Sequence, residues 1–208
     1  MRTYRVNDIF YSLQGEGYNT GRAAVFVRFA GCNLRCPFCD TEFDVYREMS
    51  AEEILSAVMD CYEKPYHQPM VVLTGGEPTL QADEALVELL HTHGYKVAME
   101  SNGTRPAPKN LDWLTVSPKE SHEWLKAIDH GKKPDEIKIV FDENTNPLLE
   151  VVNFVDHPAT SRTLLYLQPC DTGDAERNKA IVQACVAYIK AHPQWQLSLQ
   201  THKLIGIE

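Results

Sequence analysis

Residues 24–40 read AVFVRFAGCNLRCPFCD: an apolar run broken by Arg28, a stop at Gly31, then Cys32, Cys36 and Cys39 within eight positions. β-Branched and aromatic residues dominate the first half, the composition of a buried strand. A strand that empties into a polar loop presents that loop at its carboxyl end, which is where ligands collect in sheets of parallel strands. The pattern recurs. MVVLTGGEPT at 70–79, YKVAMESNGT at 95–104, LDWLTVSPK at 111–119 and LLYLQPCDTGD at 164–174 each pass from apolar strand to polar loop. DEIKIVF at 135–141 adds a strand, and WQLSLQTHK at 195–203 reads as a last extended segment. Helical periodicity fills 50–63, 81–92, 121–129, 146–156 and 174–191, and Ser50 and Glu53 have the spacing of a capping box. Short apolar strands alternating with longer helices predict an α/β protein of about six βα units around a mostly parallel sheet. No repeat, low-complexity tract or linker interrupts residues 1–208, so a single domain is expected, with its polar cysteine loop at 31–41.

The chain has 208 residues, 43% of them hydrophobic and 24% charged, which suits one substantial globular core. Twenty Lys and Arg against 29 Asp and Glu give a net charge of -9, which argues against a phosphate-backbone (nucleic-acid) partner. The start lacks a signal-peptide pattern and no uninterrupted apolar run approaches a membrane span, so a cytoplasmic, membrane-free location is expected. Cys61 and Cys185 fall in helical segments and read as small buried hydrophobes.

Three clustered thiols without a fourth are unusual. A structural zinc site closes with four ligands, and no His follows at finger spacing. A ferredoxin cluster uses a different run with a remote fourth Cys. Three thiolates can instead hold three irons of a [4Fe–4S] cubane and leave one iron open. The paired glycines of TGGEP at 74–78 can bring bare backbone groups close to a ligand.

With its C-x3-C-x2-C spacing and TGGEP turn, the chain resembles the radical S-adenosylmethionine family. The resemblance implies a partial, open (β/α)6-like barrel and a cluster on Cys32, Cys36 and Cys39 whose open iron binds S-adenosylmethionine. It implies cofactor contacts from Phe38, Cys39, Asp40, Gly76 and Glu77, the last accepting from the methionine ammonium. Asn102, Ser117, Pro118, Lys119, Gln168, Pro169, Cys170 and Asp171 complete the set. Taken alone, Phe38 could be loop packing, Asn102 a turn residue and Lys119 a solvated loop charge.

YSLQGEG at 11–17, CDT at 39–41 and LSLQTHK at 197–203 narrow the likeness. Together they resemble the 7-carboxy-7-deazaguanine synthase family over essentially the whole chain. That implies ring contraction of 6-carboxy-5,6,7,8-tetrahydropterin to 7-carboxy-7-deazaguanine with loss of ammonia, a step of queuosine biosynthesis. It also implies Mg2+ at Thr41, a homodimer, and an external one-electron reductant such as flavodoxin. The expected substrate contacts are Leu13, Gln14, Gly15, Glu16, Arg28, Thr74, His202 and the chain-terminal carboxylate of Glu208. Arg28 offers a planar fork suited to a carboxylate, and Glu16 an acceptor for a guanidine-like N–H pair. His202 either donates to the substrate or packs under the last strand. A glycyl-radical activase would share the cysteine spacing but not the two flanking segments. A simple iron–sulfur carrier would need a fourth ligand, for which Cys170 is the remote candidate.

Overall fold

β1 (Tyr4–Leu13) and β2 (Ala23–Phe29) form an antiparallel hairpin, with Leu13 opposite Ala23 and Ile9 opposite Val27. The computed structural model describes residues 2–39, 42, 44–63, 67–119, 131–142, 149 and 162–207. β1 is not legible as a strand, because Asn7 and Asp8 interrupt its apolar alternation. A register shift between Val6 and Asp8 absorbs the break, as bulges do. β3 (Arg47–Met49) pairs with the other edge of β1.

From β2 the sheet continues in parallel through β4 (Met70–Gly75), β5 (Val97–Ser101), β6 (Trp113–Val116), β7 (Glu136–Phe141), β8 (Leu164–Pro169) and β9 (Trp195–Leu197). The strand order β3-β1-β2-β4-β5-β6-β7-β8-β9 leaves β3 and β9 at the two ends, so the structure is a partial, open (β/α)6-like barrel. Central strands bury both faces, as Val71, Val72 and Leu73 do, which is why they read as unbroken apolar runs.

The helices bury one stripe each. α1 (Ala51–Asp60) carries the expected capping box, with Glu53 N donating to Ser50 Oγ at 3.2 Å and Ser50 N to Glu53 Oε2 at 2.6 Å. It turns Ile54, Leu55 and Val58 inward. α2 (Glu84–Thr92) is capped by Asp83 and α3 (Ala175–Ala191) by Asp174. Cys185 is fully buried under α3, and Cys61 is half-buried with its thiol donating to Ile9 O at 3.6 Å. None of the described helices is long and apolar enough to cross a membrane. The helices expected at 121–129 and 146–156 lie outside the described residues, apart from Leu149, which is helical and buried.

The final segment corrects the sequence reading. WQLSLQTHK is extended only at β9, then turns into the short helix α4 (Thr201–Ile205). Thr201 donates from both N and Oγ1 to Gly15 O, each at 2.9 Å, and these bonds pull the chain out of the sheet.

The turn after β4 is fixed by backbone alone. Gly76 N donates to Phe29 O at 3.0 Å and Glu77 N to Gly31 O at 2.9 Å. A Cβ on Gly75 would collide with the Phe29 carbonyl, and one on Gly76 with the Gly31 carbonyl. The glycines therefore serve the approach of this turn to the root of the cysteine loop. Gly75 also has φ +119, whereas Gly21, at φ +83, has open space around it. Gly21→Ala is thus expected to cost only backbone strain, on the order of 1–3 kcal/mol. Gly75→Ala should cost clearly more in urea unfolding; equal losses would show that the close approach contributes nothing.

Candidate active site

The carboxyl ends of the parallel strands surround a cavity of about 910 Å3. The loop after β2 contributes Cys32, Cys36, Phe38 and Cys39, and the turn after β4 contributes Thr74 and Gly76. Asn102 follows β5, Ser117 and Lys119 follow β6, and Gln168, Pro169, Cys170 and Asp171 end β8. The opposite wall carries Leu13, Gln14, Gly15 and Glu16, with Arg28 from β2 and His202 from α4. Pro118 is buried and is not part of this wall. Asp40, Thr41 and Glu208 lie outside the described residues.

The three thiols sit on one loop, Cys32 and Cys36 half-exposed and Cys39 exposed. Leu34 N donates to Cys32 Sγ at 3.4 Å, and Cys39 N donates to Cys36 O at 3.1 Å. Among the described residues no set of three or more His, Cys, Asp or Glu side chains converges on a metal-sized point. What fits an iron–sulfur cluster is the donor set: soft, accessible sulfur ligands on one loop facing one cavity. Asn33 and Asn102 brace that loop, Asn102 Nδ2 donating to Asn33 Oδ1 at 3.0 Å and Asn33 Nδ2 to Thr104 Oγ1 at 2.8 Å. Asn102 is therefore more than a turn residue. Lys119 donates to Ser117 Oγ at 2.8 Å and stands 5.5 Å from the Phe38 ring centre, so it is not a solvated charge. Burial, reinforced by the like charge of Lys138, lowers the Lys119 ammonium.

Glu77 is held by a set of protein donors. It is 0% exposed, outside the cavity wall, and surrounded by protein donors. Thr79 N (3.0 Å), Thr79 Oγ1 (2.6 Å) and Ser101 Oγ (2.8 Å) donate to Oε1, and Asn102 N (2.7 Å) donates to Oε2. These bonds lock the turn after β4 to the end of β5. Oε1 is thereby filled, while Oε2 accepts one backbone N–H.

The two flanking segments that stand out in the sequence meet here. Gln200 Nε2 donates to Glu16 Oε1 at 3.0 Å, Gly17 N to Ser198 Oγ at 2.9 Å, and Ser198 Oγ to Gln168 Oε1 at 2.9 Å. His202 lies flat against Gly15, where any Cβ would collide with its ring. Beneath them runs a charged network that the sequence reading missed. Lys138, only 5% exposed in its side chain, pairs with Glu16 and, at 3.1 Å, with Glu100. Gln14 Nε2 reaches Glu100 Oε1 at 3.2 Å, and Gln168 Nε2 reaches Glu16 Oε1 at 3.0 Å. The available signal was a lone Lys inside the apolar strand EIKIVF, since lysine is almost never fully buried unless paired.

Burial alone would raise Glu16, but the Lys138 charge and hydrogen bond, with Gln200, outweigh it and bring the carboxyl to about 2. Burial raises Glu100, Lys138 offsets part of this, and the Glu16 charge adds to it. Lys138 itself is held up, Glu100 and Glu16 outweighing its own desolvation. Behind them the buried Glu136 accepts from Tyr18 N at 2.9 Å; burial and then the Glu100 charge push it up to about 7.

Residues 26–143 match the radical SAM superfamily. Over 204 residues the chain is 44% identical to the 7-carboxy-7-deazaguanine synthase of Bacteroides thetaiotaomicron, covering 98% of each chain. It is 41% identical to that of Nitratidesulfovibrio vulgaris, covering 99% of each. The crystal structure of QueE from Escherichia coli superposes with a TM-score of 0.74 at 27% identity, over 95% of this chain and 93% of that one.

Two outcomes follow from the geometry. Glu77→Gln replaces an acceptor by a donor among protein N–H and O–H groups, so the ligand-free protein should lose about 1–3 kcal/mol. A carboxylate serving only a ligand would leave that stability unchanged in denaturant titration. The second outcome concerns pH. Glu136 binds its proton more tightly folded than at its ordinary 4.5, so its contribution is complete below about 4.5 and is lost as pH rises through about 7. Glu16 does the reverse: its contribution is complete above about 4.5 and is lost as pH falls toward about 2. Relative to Glu136→Gln, the wild type should therefore lose stability between about pH 4.5 and 7. A flat difference across that window would remove Glu136 from the account.

Proposed function

The chain belongs to the 7-carboxy-7-deazaguanine synthase family of radical SAM enzymes, and on that premise we propose that it contracts the ring of 6-carboxy-5,6,7,8-tetrahydropterin to 7-carboxy-7-deazaguanine with release of ammonia, in queuosine biosynthesis. The observation that carries the reading is the joining of YSLQGEG to LSLQTHK across the cavity that the three cysteines line. One wall then serves radical initiation and the other recognises a flat polar ring.

Cys32, Cys36 and Cys39 hold the cluster in this reading; Gly76, Ser117, Lys119 and the Gln168–Asp171 segment surround S-adenosylmethionine, and Thr74 faces the substrate. When bound, the pair supplies an alkyl radical able to take one hydrogen atom from the pterin. Arg28 is oriented by its stacking over Phe10, its guanidinium carbon 5.1 Å from the ring centre, and presents its fork to the substrate carboxylate. Gln14, Gly15 and His202 bound the ring on the facing wall. Thr41 gives its hydroxyl to Mg2+, an ion that accepts few protein oxygens and keeps others from substrate and water. Cys170 is buried on the cavity side, where burial raises its thiol, which suits a lining residue better than a fourth iron ligand. The continuous sheet supports treating residues 1–208 as one domain. A homodimer and a flavodoxin-type reductant complete the proposal.

The test is anaerobic. Reconstituted protein is incubated with dithionite, S-adenosylmethionine, Mg2+ and the carboxypterin, and products are read by mass spectrometry. The expected result is 7-carboxy-7-deazaguanine from wild type and none from Cys36→Ala, with Cys170→Ala retaining its iron. S-adenosylmethionine cleavage without any deazapurine would overturn the substrate assignment. Loss of iron in Cys170→Ala would overturn the three-cysteine site.

A further inference from the structure

Glu136 opens β7 two residues before Lys138, on the same face of the strand, yet it is 1% exposed and takes no part in the cavity wall. What it meets is the YSLQGEG loop. Glu136 Oε2 accepts from Tyr18 N at 2.9 Å, and a Cβ on Gly17 would collide with Oε1. The Tyr18 ring stacks on Trp113 with centroids 4.9 Å apart, and the Arg22 guanidinium lies 5.6 Å from the Tyr18 ring centre. The loop closes on itself through Gln14 N to Arg22 O (2.8 Å) and Gly21 N to Gln14 O (2.7 Å). Between those closures its main chain is held from outside by Thr201 at Gly15 O, Ser198 at Gly17 N and Glu136 at Tyr18 N. Of these three side chains, only Glu136 can change its charge near neutral pH.

We propose that Glu136 is a positioning residue: its ionised carboxylate fixes the Gln14–Tyr18 segment in the place from which it meets the substrate, so substrate affinity depends on the Glu136 proton. The inference rests on the pterin reading above and adds a control point outside the cavity. Burial, then the Glu100 charge, raise the Glu136 carboxyl; Lys138 and the Tyr18 N–H pull it back, Glu16 adds to the rise, and the balance lies at about 7. A bond that favours the ionised form is by linkage firmer when that form is present. From β8, Tyr166 also feels the Glu136 charge, which adds to the rise that burial gives its hydroxyl. Trp113, Thr115 and Ser198, which pack around the loop and the start of β7, carry no charge. A buried charge that weakens the fold as pH rises needs another role, and this loop supplies one.

The probes are 6-carboxypterin and S-adenosylmethionine, and the variant is Glu136→Gln, which keeps the shape and an acceptor oxygen without the charge. Dissociation constants are measured anaerobically on the reconstituted proteins, with S-adenosylmethionine present for the pterin. The two conditions, about pH 6 and about pH 7.5, lie on either side of the Glu136 value. Any titration of the probe itself cancels in the ratio of variant to wild type. For the pterin, wild type should match the variant at the lower pH and bind about threefold or more tighter at the higher, the scale separating a charge-assisted from a neutral hydrogen bond. The S-adenosylmethionine ratio should not move. In the ligand-free protein the Tyr18 amide resonance should shift with an inflection near 7 in wild type and lack it in Glu136→Gln. A pterin ratio that stays constant with pH would overturn the inference and leave the pterin reading standing. An equal movement of the S-adenosylmethionine ratio, the mark of a general loosening of the cavity, would overturn it too, as would a wild-type Tyr18 amide without the inflection. Failure of wild type to bind the pterin at either pH would overturn the pterin reading and this inference with it.

Discussion

Lys138 is the constraint on which the rest of the site depends. An ammonium taken out of water costs several kcal/mol unless charged partners replace the solvent, and breaking such a pair typically costs about 3–5 kcal/mol. Here the partners come from separate parts of the chain: Glu16 from the loop after β1, Glu100 from β5. Glu16 in turn holds Gln168 from β8 and Gln200 from the final segment. One buried cation thus commits the sheet, the amino-terminal loop and the carboxy-terminal segment to a single arrangement. The ends of an open barrel have no strand pairing to hold them together, and this network takes that part.

The cysteine loop is held by a different chemistry. Its root is fixed by backbone hydrogen bonds from the turn after β4, and its body by the Asn33–Asn102 contact. Glu77 sits behind both, converting four neighbouring donors into one rigid corner. No side chain of that corner has to reach the ligand for the corner to matter. The loop is anchored through main chain and amides, so its place beside the cavity does not depend on its thiols.

Much of this was legible. The parallel strands announce themselves because burial on both faces leaves continuous apolar runs, and Ser50 and Glu53 declare the start of α1. The cysteine spacing and the strand-end loops gathered the cavity residues correctly, because position at a strand's carboxyl end is a property of the sequence order itself. Other features were not legible because they depend on distant partners. β1 hides behind Asn7 and Asp8, whose bulge is meaningful only against β2. The protein partners of Glu77 include Ser101 and Asn102, more than twenty residues away, and no local pattern announces them. The glycines at 75 and 76 line the cavity as read, but the constraint that keeps them free of a side chain is the Phe29–Gly31 backbone. Lys138 was visible as an anomaly in an apolar strand, but its counter-charges lie 122 and 38 residues away.

The distribution of charge around the cavity follows from the same burial. Lys119 stands between Phe38 on the cysteine side and the Glu16–Glu100–Lys138 network on the other. Burial and the neighbouring Lys138 cation lower its ammonium, while the Glu16 and Glu100 charges oppose that shift. An anionic group placed beside Lys119 would favour its charged form, and Glu16 would keep its own partners Lys138, Gln168 and Gln200. The two sides can therefore fill independently at the level of hydrogen bonds while remaining coupled through the field of two lysines. The two ammonium groups act on each other through buried surroundings, where charges are screened less than on an open surface.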